Sequence, residues 1–247
     1  MLKSPVAAPH GAAPRQLIIN ADDFGYSDAT NRGIIQCRRH GVLTSASLMV
    51  LAPAAAQAAQ YAADDPELSL GLHLELGEWA LRADQWVQTK VVVPLEDSSA
   101  VKDEIQRQLT AFRQWTGQDP THLDSHQHVH QRLAVKTIMR EVADNLGVVL
   151  RGDSDAVRFL GAFYGQDQHL QMQPEYISVV NLLRLLDQLQ PGITELSCHP
   201  GLDTALDSTY RDERLLEVRT LCDPEIRNAL ERKTINLISF KNLAATQ

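Results

Sequence analysis

The chain has 247 residues, of which 44% are hydrophobic and 22% charged. That balance fits a soluble protein with a sizeable core, either one domain of barrel size or two small ones. A formal net charge of -8 without any long run of Lys or Arg speaks against a nucleic-acid or anionic-membrane surface. Three cysteines, Cys37, Cys198 and Cys222, are odd in number and unevenly spaced, so neither a disulfide framework nor a zinc knuckle is expected.

Residues 1–16 are rich in Ala and Pro and lack the apolar core of a signal peptide, so they read as a flexible lead-in to a single domain over 17–247. No apolar run approaches the roughly 20 residues that span a bilayer, and a cytoplasmic protein is expected. From Leu17 short apolar runs alternate with longer amphipathic ones. Leu17 to Ala21 reads as a first strand, and Ser27 or Asp28 as the cap of a helix that runs to about His40 and stops at Gly41. A second strand, 45–51, precedes an alanine-rich helix over 53–63. A third strand over 68–76 carries His73, and 77–99, with no steady period, reads as a long loop or insertion. The spacing then predicts a helix over 100–115, a fourth strand over 121–127, a helix over 133–146 and a fifth strand over 148–151. A helix over 174–190, a sixth strand over 193–198, a helical pair between 211 and 232 and a last strand over 235–240 complete the chain. About seven strands joined by helical crossovers favour a barrel or an open doubly wound sheet, and no GxGxxG or Walker loop supports a nucleotide fold.

Polar residues gather at the carboxyl ends of four of these strands, the rim on which parallel α/β proteins build active sites. They are Asn20-Ala21-Asp22-Asp23, then His73 in Gly71-Leu72-His73-Leu74, then the run Thr121-His122-Leu123-Asp124-Ser125-His126-Gln127-His128-Val129-His130, and finally His199-Pro200-Gly201. Four of the nine histidines fall at alternate positions of the third group, and an extended backbone would turn them and Asp124 to one face. Each group has an ordinary explanation alone: Asp22 and Asp23 as helix caps, His73 as a bonded core histidine, His199 as a turn residue. One Asp with two His would leave a metal ion an open position for water, and Asp23, His73 and His126 are chosen as that set. A bound water could then lose its proton to Asp22 and attack a carbonyl, with His199 protonating the departing amine. His128 and His130 remain as substrate contacts or further ligands.

These segments, in this order over 17–201, resemble the YdjC-like carbohydrate deacetylases. The resemblance implies a TIM-like (β/α) barrel with fewer than eight regular strands and metal-dependent removal of acetyl from an N-acetylated amino sugar or oligosaccharide. It places the metal on Asp23, His73 and His126, and Asp22 and His199 in the base and acid roles partly by analogy with polysaccharide deacetylases. The cofactor would be one divalent metal ion, magnesium or zinc, with manganese or cobalt further candidates, because mixed Asp and His ligation does not choose among them. Gln127 stands where some relatives carry another histidine, which removes no proposed ligand. Trp79, Trp86, Phe163 and Tyr164 could stack on sugar rings if they line a cleft. A lipid-linked glycan is an admissible substrate without any membrane span, and a homodimer stands as an expectation. The alternatives are a metal-dependent phosphoesterase, weakened by the lack of an evident Arg or Lys clamp, and a metal-containing carbohydrate-binding protein without turnover.

Overall fold

The structure, a computed structural model, describes residues 13–83, 85–202 and 210–244. Its strands are β1 (Arg15–Phe24), β2 (Ser45–Leu48), β3 (Ser69–Leu74), β4 (Gly77–Arg82), β5 (Gln85–Val91), β6 (His122–Ser125), β7 (Val149–Leu150), β8 (Val157–Leu160), β9 (Gly192–Cys198) and β10 (Ile235–Leu237). Around them lie α1 (Asp28–His40), α2 (Ala55–Asp64), α3 (Ser98–Thr116), α4 (Leu133–Leu146), α5 (Val179–Gln188), α6 (Asp212–Leu221), α7 (Pro224–Arg232) and α8 (Lys241–Ala244). Seven strands run in the order β7-β6-β3-β2-β1-β9-β8, all neighbours parallel, and β10 pairs with the start of β1. The ends of that path, β7 and β8, do not pair with each other, so the α/β barrel is nearly but not fully closed. The domain is single.

Strand β1 pairs with β2, β9 and β10, and its last eight residues are all buried because helices or neighbouring strands cover both its faces. Helix α1 follows at once: the Ser27 side chain accepts from the Thr30 N–H, and Arg38, Arg39 and His40 in the last turn complement the negative end of the helix dipole. Register then places the chemistry. Parallel pairing of β3 with β6 sets His73 opposite Asp124. It also requires Gly71, because a Cβ there would lie 2.4 Å from the His122 ring. His122 in turn stacks on Phe240, ring centroids 3.8 Å apart.

Four expectations need correction. Residues 77–99 are not an irregular loop: β4 and β5 form an antiparallel hairpin whose turn passes through Ala83 at φ 47, and no Asn-Gly marks it in the sequence. The count of seven holds with a different membership, since β8, between the expected fifth strand and the 174–190 helix, joins the path and the last strand, β10, lies off it. Strand β8 pairs along β9 with only Val157 fully buried, too short and too polar a run to read as a strand. The expected helix over 174–190 breaks at Ser178, which ends a 3-10 turn over Pro174–Ile177 and caps α5 through the Asn181 N–H. Finally, β6 stops at Ser125, and His126–Gln131 form a 3-10 turn with Gln127 at φ 50 and His128 at φ 52. The histidine alternation therefore does not stay on one extended face beyond Asp124. The strand β1 begins at Arg15, two residues before the expected boundary, and residues 1–12 of the expected lead-in lie outside the described residues. Among the described residues no helix is long and apolar enough to cross a membrane.

Candidate active site

A cavity of about 860 Å³ opens over the carboxyl ends of the strands. Its wall includes Asp22 and Asp23 from β1, His73 from β3, His126 and His128 from the turn after β6, and His199 after β9. His130 is not on that wall: it is buried, with Nδ1 2.7 Å from Ser125 Oγ, and burial pushes it down to about 4.

One acceptor and two ring nitrogens converge. Asp23 Oδ1 lies 3.4 Å from His73 Nε2 and 3.2 Å from His126 Nδ1. Asp23 itself sits at φ 64, a left-handed conformation that Asp tolerates, and both its carboxylate and that of Asp22 line the cavity. His73 Nδ1 is 2.8 Å from Asp124 Oδ1, so that nitrogen carries the hydrogen and Nε2 is the one presented to Asp23. Burial works against a charge on His73, yet Asp124, Asp23 and Asp22 together raise it to about 10. The three donor groups have ligand atoms within 4.8 Å of one another, and a proton held among two carboxylates and a ring is one for which a divalent cation competes. The residues fit an ion of the magnesium, zinc, manganese or cobalt kind.

Two arginines that the sequence reading passed over organise the adjacent carboxylates. Arg151, just after β7 and fully buried, donates from Nη1 to Asp22 Oδ2 at 2.6 Å and from Nη2 to Asp22 Oδ1 at 2.7 Å. The same guanidinium reaches Glu195 Oε1 at 2.7 Å and Asp124 Oδ2 at 2.8 Å. Burial alone would raise Asp22; Arg151 outweighs it and holds the carboxyl below the usual carboxylate range. Glu195, which shares that guanidinium with two other carboxylates, is pushed by burial up to about 7. Arg214 of α6 donates from Nη2 to Asp23 Oδ2 at 2.6 Å. Against burial, that contact holds Asp23 well below its ordinary value. Arginines thus do lie beside the motifs, and both are occupied by carboxylates.

His199 Nε2 lies 3.7 Å from Asp22 Oδ2, and the ring packs against Tyr164 and Tyr210, centroids 5.6 and 5.3 Å away. Burial pushes the imidazole down to about 4. Its backbone N–H donates to Glu217 of α6, which also accepts from the Tyr210 hydroxyl. Ser47 ties the floor together: its hydroxyl donates to Asp124 Oδ2 at 2.7 Å, accepts from Asn20 Nδ2 at 2.8 Å and sits 3.0 Å from His122 Nε2.

The outer wall comes from the β4–β5 hairpin. Gln127 clamps it by two backbone hydrogen bonds to Trp79, each 2.8 Å, and the Arg132 guanidinium lies 4.5 Å from a Trp79 ring centroid. Trp79, Trp86 and Tyr164 line the space, whereas Phe163 is buried in the core and unavailable as a sugar platform.

The chain is similar to known proteins over most of its length. A carbohydrate deacetylase of Geobacillus stearothermophilus is 32% identical over 248 residues, covering 92% of this chain and 98% of that protein. A chitooligosaccharide deacetylase of Serratia marcescens is 30% identical over 262 residues, covering 92% and 98%. A crystal structure from Enterococcus faecalis V583, described as that of a candidate cellobiose-phosphate cleavage protein, superposes with a TM-score of 0.74 at 26% identity, covering 94% of this chain and 99% of that one. A family 4 carbohydrate esterase from Streptomyces lividans, solved with acetate, shares the fold at a TM-score of 0.52 and 14% identity, covering 94% and 96%. The model of the YdjC-like protein family matches residues 16–232, and with these relatives it establishes that the chain belongs to that family.

Proposed function

We propose that the chain is a metal-dependent carbohydrate N-deacetylase, a hydrolase that cleaves the amide of an N-acetylated amino sugar or oligosaccharide to acetate and a free amine. The observation that carries this reading is the meeting of two kinds of group on one cavity floor. Asp23, His73 and His126 form a donor set, and Asp22 and His199 stand beside it within 3.7 Å of each other. The names of the two relatives support the same reaction class.

Asp23, His73 and His126 would hold the ion, and when bound it supplies positive charge for a developing oxyanion and for acidifying water. Asp22 is ionised at neutral pH because Arg151 neutralises it, so it can accept a proton from the attacking water. The new bond joins that water oxygen to the carbonyl carbon, the carbon–nitrogen bond breaks, and the nitrogen requires a proton to leave as an amine. His199 is neutral in the resting site, so it must first receive the proton that it delivers. Asp22 Oδ2 lies 3.7 Å from His199 Nε2, beyond direct hydrogen-bond reach, so one bridging water would carry the same proton from the first step to the second. His128 lines the cavity and serves as a substrate contact. Trp79, Trp86 and Tyr164 offer ring faces for the sugar.

The test is acetate release from a panel of N-acetylated sugars and oligosaccharides, using metal-stripped protein restored with magnesium, zinc, manganese or cobalt. Release that requires metal and disappears in His126→Ala is the expected result. Silence across the panel by protein that binds metal tightly would sink the deacetylase reading.

A further inference from the structure

We infer that Arg214 is a positioning residue that reserves one oxygen of the Asp23 carboxylate, so that Asp23 can offer a metal ion only its other oxygen. The inference rests on the metal reading above. The two oxygens of Asp23 face different partners. Oδ1 looks toward His73 Nε2 and His126 Nδ1, whereas Oδ2 accepts the 2.6 Å hydrogen bond from Arg214 Nη2.

The arginine is fixed by more than this contact. Its Nε donates to the Tyr210 carbonyl at 2.9 Å and its Nη1 to the His199 carbonyl at 3.3 Å, and the side chain is almost wholly buried. A guanidinium held in a fork at three points cannot swing away to release Oδ2 without breaking all of them. Glu217, three residues on and therefore on the same face of α6, accepts from the His199 N–H and the Tyr210 hydroxyl. One helix face thus grips the carboxylate at the end of β1 and the backbone at the end of β9. That ties the donor set to the candidate acid.

Two chemical consequences follow. A carboxylate restricted to one oxygen occupies one coordination position instead of two, which leaves room for water and a carbonyl oxygen on the same ion. A full positive charge on the unused oxygen also offsets the charge that Asp23 would otherwise donate, so the ion's own charge remains available to the substrate.

The test uses the full chain loaded with cobalt, whose visible absorption weakens as its coordination number rises. In Arg214→Met, Oδ2 is released. Cobalt should bind at least as tightly as in the wild type, its visible bands should weaken, and kcat should fall about 10- to 100-fold with little change in KM. Arg214→Lys, which keeps a cationic donor near Oδ2, should recover the wild-type spectrum. If Arg214→Met does not fold, Arg214→Gln, too short to reach Oδ2 and able to donate to the Tyr210 carbonyl, should give the same weakened spectrum. A wild-type spectrum in the variant that folds would overturn the inference, as would a spectral change that lysine does not reverse. Failure of the wild-type protein to bind cobalt at all would instead overturn the metal reading beneath it.

Discussion

Asp22 and Asp23 are chemically identical neighbours, and two arginines distinguish them. Arg151 engages both oxygens of Asp22, and Arg214 engages one oxygen of Asp23. Asp22 is thereby held near His199 and Asp23 near His73 and His126. Replacing Asp22 with Asn removes the proton acceptor and leaves the donor set intact. Arg151 would still have Asp124 and Glu195 as partners, so no buried charge is orphaned. Asp22→Asn should lower kcat by about 10²- to 10⁴-fold while metal content, measured on the purified protein, stays at the wild-type level. Retained activity would remove Asp22 from the base role. The sequence made Asp22, Asp23, His73, His126 and His199 legible because they stand at strand ends inside polar clusters. Arg151 and Arg214 were not, since a lone arginine after a two-residue strand and another within a charged helix carry no local pattern.

At the scale of elements, the buried side of α6 is largely polar: Glu213, Arg214, Glu217 and Thr220 recur at helical spacing beside Val218 and Leu221, where apolar residues would normally face the barrel alone. That spacing gives no sequence signal for Arg214 and Glu217, because only their burial shows that they face the barrel. The helices α1 and α4 were legible to within a residue because Ser27 caps one and the apolar period of the other is steady. The hairpin was not, because β5 is exposed along its whole length and an exposed strand has no alternation to read. Its exposure also suggests its use. Trp86, 56% exposed, lines the cavity on the hairpin, away from the core that a tryptophan ordinarily seeks. If the hairpin supports a sugar unit beyond the one being deacetylated, Trp86→Ala should raise KM for an N-acetylated oligosaccharide by about 5- to 150-fold, the equivalent of losing an aromatic stacking contact of about 1–3 kcal/mol. KM for the monosaccharide should hardly change. Equal effects on both substrates, measured side by side, would assign Trp86 to the structure of the hairpin instead.

Across the whole molecule, Arg151 has a second task that follows from the incomplete barrel. No ladder joins β7 to β8, yet the Arg151 side chain leaves the end of β7 and binds Asp22 on β1, Asp124 on β6 and Glu195 on β9. A single guanidinium therefore links four strands through the interior and neutralises carboxylates that could not otherwise be buried together. Arg151→Met leaves those carboxylates without their cation, and the expected loss in unfolding free energy is about 3–5 kcal/mol. The sign of its pH dependence follows from the titrations. In the wild type Arg151 depresses Asp22 and Asp124, so their contribution is present above the ordinary carboxylate range and lost as pH falls through it. In the variant His73 remains but the main cation opposing burial is gone, so both carboxyls rise relative to the wild type and the stability they lend at neutral pH falls. The stability gap between the two proteins should therefore be widest at pH 8 and should narrow steadily toward pH 4. Urea unfolding at several pH values reads this directly. A gap that is constant with pH would mean that Arg151 contributes packing alone and that the carboxylates are neutralised by another route.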